Sequence, residues 1–75
     1  MIDSERRGDT LVIRNSSNTA REFYDGAQCD PAGVNCVQLP ARRLYAREEW
    51  RIALPYETAA TFRTAWGKHS SSIAF

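Results

Sequence analysis

The sequence predicts one small, mainly β domain built as an antiparallel sandwich or open barrel, and three observations carry that expectation. Trp50, Ile52 and Leu54 alternate with Arg51 and Ala53, and Ala60, Phe62, Thr64 and Trp66 alternate with Thr61, Arg63 and Ala65, which is the two-residue period of a half-buried strand. Short apolar and β-branched runs are separated by clusters of turn-forming residues, the punctuation expected of hairpins. No segment alternates a strand with a long helix, so a parallel α/β sheet is disfavoured.

Each element follows from its local chemistry. Residues 1–8 are polar and charged and read as a flexible N-terminal segment. Residues 10–14, with Leu11, Val12 and Ile13, form a strand, ended by Asn15, Ser16, Ser17 and Asn18, whose short polar side chains compete for backbone hydrogen bonds and favour turns. Residues 19–24 are expected to return as an antiparallel neighbour of that strand, before Asp25 and Gly26 open a loop holding both cysteines. Residues 34–39 are a third candidate strand. Pro40 suits a first helical turn, and Ala41, Arg42, Arg43, Leu44, Ala46, Arg47, Glu48 and Glu49 are good helix formers. The apolar stripe there is thin, so residues 41–49 stay open between a short helix and an extended crossing segment. The strand at 50–54 stops at Pro55. The last two strands, 60–66 and 70–75, make a terminal hairpin turned at Gly67, Lys68 and His69.

Composition narrows the function classes. With 75 residues there is room for one core, and a chain so short buries only about 60% of its unfolded surface, so a crosslink or partner is expected to add stability. Ten basic and nine acidic residues give a net charge of +1, too near balance for a dedicated phosphate-neutralising surface. The longest apolar run is Leu11-Val12-Ile13, far short of the roughly 20 residues of a membrane span. The N-terminal residues lack the apolar stretch of a secretory signal, so no export address is expected in the chain as written.

Cys29 and Cys36 flank turn formers, and closing that loop would restrict the unfolded chain by about 2.5 kcal/mol; two free thiols in a reducing compartment are the competing reading. With His69 the cysteines offer three zinc ligands where a structural site takes four, so no metal is expected, and no cofactor. His69 lies beside Ser70, Ser71 and Ser72, but sequence adjacency supplies neither an orienting third group nor an oxyanion site. Glu48 and Glu49, and Asp3 with Glu5, are read as a solvated, ion-paired face. The isolated glycines form no phosphate-cradling loop. No catalytic apparatus is expected.

The strand ending Leu11-Val12-Ile13-Arg14-Asn15, the return strand ending Phe23-Tyr24, the central Leu39-Pro40, the Trp50-Ile52-Leu54 strand and the closing Phe62-Arg63-Thr64-Ala65-Trp66-Gly67 with Ser71-Ser72 together resemble the C-terminal domain of PapD-like periplasmic pilus-assembly chaperones. The resemblance implies an immunoglobulin-like β-sandwich, a periplasmic location and a pilus subunit as partner. The family's donor strand and carboxylate-anchoring basic residues belong to its N-terminal domain, so the resemblance assigns no subunit-binding residue here, and Ala65 stands where the family usually has an acid.

Two functional expectations result. The first is a non-catalytic protein-binding module that pairs an exposed strand with another polypeptide, a pilus subunit or a second copy of itself, through an edge at residues 10–14 or 70–75 carrying Leu11, Ile13, Ile73 and Phe75. The second is a small nucleic-acid-binding barrel using Arg42, Arg43, Arg47, Trp50 and Arg51, in which an aromatic ring stacks on bases beside cations.

Overall fold

Alternating side chains bury one face of each strand, and here eight strands do so. They are β1 (Ile2–Arg7), β2 (Thr10–Asn15), β3 (Arg21–Cys29), β4 (Cys36–Gln38), β5 (Arg42–Leu44), β6 (Glu49–Ala53), β7 (Thr61–Trp66) and β8 (His69–Ala74). A computed structural model describes residues 1–75. One antiparallel sheet has the order β1-β2-β6; the other has the order β4-β3-β7-β8, with β5 also pairing with β3. The chain is a mainly β, two-sheet sandwich with no helix.

The core lies between the sheets. Leu11, Ile13, Trp50, Ile52 and Leu54 face it from the first sheet's side, and Phe23, Leu39, Leu44, Ala60 and Phe62 from the second's. Arg51 is exposed between buried Trp50 and Ile52, as the strand period requires. Phe23 touches Trp50 at 5.9 Å and Phe62 at 6.1 Å between centroids, and Phe62 meets Phe75 at 6.0 Å, so one aromatic cluster spans both layers within the favourable range for ring pairs. Gly67, at φ 56°, occupies the left-handed region, which lets a two-residue loop join β7 to β8.

Two expectations are corrected and one alternative is resolved. Residues 1–8 are not a loose lead-in: β1 pairs with β2 from Ile2 opposite Asn15 to Arg7 opposite Thr10. The strand after the Asn-Ser turn does not return beside β2; β3 crosses to the other sheet, because β2 already has β1 on one side and β6 on the other. Of the two alternatives for residues 41–49, the extended one holds. Tertiary partners take the backbone groups a helix would use: β5 pairs with β3, Asn15 N donates to Glu48 O at 3.0 Å, and Arg47 N donates to Asn15 O at 2.7 Å. Arg47 sits at φ 68° in the turn closed by Glu48 N donating to Tyr45 O, a conformation incompatible with helix.

Candidate functional site

Two buried amides brace the sandwich between its layers. Asn15 is fully buried; its Nδ2 donates to Thr19 O at 2.8 Å and Leu44 O at 3.0 Å, while its Oδ1 accepts from Ser17 N at 3.0 Å and Ser17 Oγ at 2.6 Å. Gln28, also buried, donates through Nε2 to Tyr56 O at 2.7 Å and Thr58 O at 2.8 Å and accepts from Tyr56 N at 3.2 Å. Arg6 reaches the same two carbonyls from β1, at 3.0 Å and 2.7 Å, and Phe75 O at 3.3 Å. Such satisfied networks hold buried polar groups without an unpaired-group cost. They leave no buried side-chain polar atom unpartnered, so nothing inside awaits a ligand. The sequence reading missed Arg6 and Gln28, which carry no local signal because their partners lie at the far end of the chain.

Cys29 and Cys36 face each other across the β3–β4 ladder and are joined as a disulfide. Their loop is braced by Asp30, whose carboxylate accepts from Val34 N at 2.9 Å and Asn35 Nδ2 at 2.7 Å. These bonds hold the Asp30 carboxyl below its ordinary pKa, since they favour the charged form.

The five residues of the nucleic-acid alternative do not converge. Trp50 is buried in the core at 6% exposure and offers no face to a base, which corrects its place in that set. Arg42 pairs with Glu48 at 3.3 Å, Arg51 with Glu49 at 3.2 Å, and Arg43 with Glu22. Arg47 donates to Asn18 Oδ1 at 2.8 Å. Three of the four guanidinium groups therefore face a carboxylate, which weakens the local field available to phosphate. Of the other acidic candidates, Glu5 binds Arg7 at 2.8 Å, while Asp3 is exposed on β1 and makes no ion pair.

His69 stacks on Trp66 at 5.5 Å, and the Arg21 guanidinium lies over the same indole, 3.9 Å from a ring centroid, while its Nε donates to Thr64 Oγ1 at 3.0 Å. Burial lowers the Arg21 pKa from its ordinary value. This row of cation, indole and imidazole runs across β3, β7 and β8 as a packed surface; no hydrogen bond joins His69 to a neighbouring serine. The surface hollows measure about 210, 250 and 160 Å³, below the roughly 300 Å³ at which small-molecule pockets begin.

The sheet edges differ sharply. β2, one of the two expected edges, lies between β1 and β6, and its Leu11 and Ile13 are fully buried; that expectation is corrected, because pairing on both sides consumes its backbone groups. β8, the other, ends its sheet and pairs only with β7. Ala60 and Phe75 exchange both backbone bonds, Ala60 N to Phe75 O at 3.1 Å and Phe75 N to Ala60 O at 2.9 Å. By the alternation of an antiparallel ladder, Ile73, Ser71 and His69 also bond inward, and the N–H and C=O groups of Ser70, Ser72 and Ala74 point away from the sheet. Ile73 and Phe75 are half-buried against the core. β8 carries no Asp, Glu, Lys, Arg or Pro, whereas β1 carries Asp3, Glu5, Arg6 and Arg7, and β6 carries Glu49 and Arg51. Charges and prolines are the usual guards of a free edge, and β8 has neither.

Among known proteins, the chain is 35% identical over 66 residues to 8-amino-7-oxononanoate synthases of Xanthomonas oryzae pv. oryzae strains PXO99A, MAFF 311018 and KACC10331. That match covers 88% of this chain and 16% of each synthase, so the chain spans about one-sixth of the length of these relatives. No protein-family model matches, and no solved structure does. What the chain is similar to is therefore a segment of a much longer enzyme.

Proposed function

We propose that this chain is a non-catalytic protein-binding β module that takes up an extended segment of another polypeptide along β8. The observation that carries the reading is the unguarded edge: the backbone groups of Ser70, Ser72 and Ala74 face outward on a strand without charge or proline. Strand addition draws its affinity from such main-chain bonds, and alternate side chains supply selectivity. Half-buried Ile73 and Phe75 offer an incoming strand apolar neighbours on the core side, and Ser70 and Ser72 leave the opposite face sterically open. The resemblance to the C-terminal domain of a pilus-assembly chaperone supports the same class, and the Cys29–Cys36 bond suits an oxidising compartment such as the periplasm. The segmental match to a synthase contributes no activity to this reading.

The test uses a synthetic six-residue peptide of alternating valine and threonine as the extended probe. Its addition is expected to slow amide exchange at Ser70, Ser72 and Ala74 and to leave the β2 amides unchanged. Fast exchange along β8 that saturating peptide leaves unchanged would remove the reading.

A further inference from the structure

We infer that β8 pairs with β8 of a second copy, giving a two-fold dimer with one continuous sheet; this rests on reading β8 as a strand-accepting edge. Isologous pairing about a two-fold axis requires an edge that complements itself. An antiparallel β8–β8 pair centred on Ser72 sets Ser72 opposite its own copy and Ser70 opposite Ala74 of the second copy. All the outward-facing groups then find partners, making roughly six ladder bonds. Sliding one strand by one residue sets outward-facing residues against inward-bonded ones and makes none of these bonds, and sliding it by two, which moves the axis to Ser71 or Ile73, gives roughly four, so the hydrogen-bond pattern selects one register.

The side chains agree with that register. On the core side, His69 comes opposite Phe75 of the second copy and Ser71 opposite Ile73, so the half-buried Ile73 and Phe75 gain cover. These fall at non-hydrogen-bonded positions, where side chains approach most closely. On the outer side only Ser70, Ser72 and Ala74 meet, and they are too small to clash.

Electrostatics separates this edge from β1 and β6, and length separates it from β4, an uncharged edge of only three residues. A two-fold axis brings each residue near its own copy, so any charge close to the axis meets its like. The nearest fixed charge, Arg63, lies one strand in from β8, opposite Ser72 in the ladder, with its guanidinium 3.1 Å from Ser72 Oγ. Across the dimer the two Arg63 backbones stand three strand spacings apart, roughly 14 Å; their guanidinium groups reach in toward Ser72 and come closer than that, a repulsion that water and salt weaken because both groups are exposed. On β1, self-pairing would crowd Asp3, Glu5, Arg6 and Arg7 around the axis. An edge without charge has no sign with which to select an unlike partner, whereas it matches a second copy without penalty.

The experiment measures solution mass by sedimentation for the full chain from about 10 μM to 1 mM, with two variants. Ser72→Lys places two ammonium groups opposite each other at the axis, each beside the Arg63 of its own chain, and is expected to weaken the dimer about tenfold while the circular dichroism spectrum of the monomer stays unchanged. Ser72→Pro removes an outward N–H that the monomer does not use, which edge strands tolerate, and is expected to abolish pairing with an unchanged circular dichroism spectrum. A wild type that stays monomeric throughout, or a dimer unaffected by both variants, overturns the proposal. Slowed β8 exchange with the valine–threonine peptide in a strictly monomeric wild type would reject self-pairing while keeping the strand-accepting reading; absence of both would reject both.

Discussion

Gly26 shows how tightly single positions are held between the sheets. A Cβ built there would lie 2.5 Å from Phe62 Cε1 and 3.0 Å from Leu39 Cβ, and Gly26 O accepts from Leu39 N at 2.8 Å. The adjacent irregularity between Tyr24 and Ala27, with Asp25 at φ 52°, presses the backbone toward the ring. Gly26→Ala is therefore expected to lower stability by about 1–3 kcal/mol, the usual cost of overpacking, read as a fall in the urea midpoint. Asp30 sets a local acid response. Its folded pKa lies below the ordinary 3.8, so its bonds to Val34 and Asn35 are fully present above that value and are lost as pH falls through the lower folded pKa. Val34 and Asn35 amide resonances are expected to shift in that acid window, and in Asp30→Asn the shift disappears. Both effects were invisible in sequence: Asp25-Gly26 is legible as a turn signal, but the ring above Gly26 comes from a strand far along the chain.

Among the elements, the β3–β4 hairpin depends most on covalent support. β4 has three residues and pairs only with β3, too short to hold by ladder bonds alone. The Cys29–Cys36 bond closes a loop whose opening returns about 2.5 kcal/mol of chain entropy to the unfolded state. Replacing both cysteines by alanine is expected to lower stability by about 2 kcal/mol and to accelerate exchange at Val37 and Gln38 more than in β2 or β7, measured by denaturation and amide exchange. β6 and β7 were legible by their alternation, β2 by an apolar, β-branched run closed by Asn-Ser-Ser-Asn, and β8 as the return strand of the terminal hairpin, while the strands expected at 19–24 and 34–39 overlap β3 and β4. β1 escaped because its inward positions include Arg6, a charged residue whose guanidinium lies over the carbonyls of Tyr56, Thr58 and Phe75. β5 escaped because its helix-forming composition is overridden by pairing with β3.

Across the whole molecule, the aromatic cluster of Phe23, Trp50, Phe62 and Phe75 joins the two layers, while Asn15 on one side and Gln28 with Arg6 on the other close the gap between them. The proposed interaction edge follows from this arrangement, because strand order leaves β8 free and encloses β2. Residue order was sufficient for the mainly β class, the outward face of Arg51, the core role of Trp50 and Phe62, and the terminal hairpin, because periodicity and turn chemistry act over a few neighbours. It was insufficient for which strand lies inside a sheet and for the crossing of β3 to the opposite layer. Those depend on contacts between residues tens of positions apart, whose hydrogen-bond partners no local pattern names.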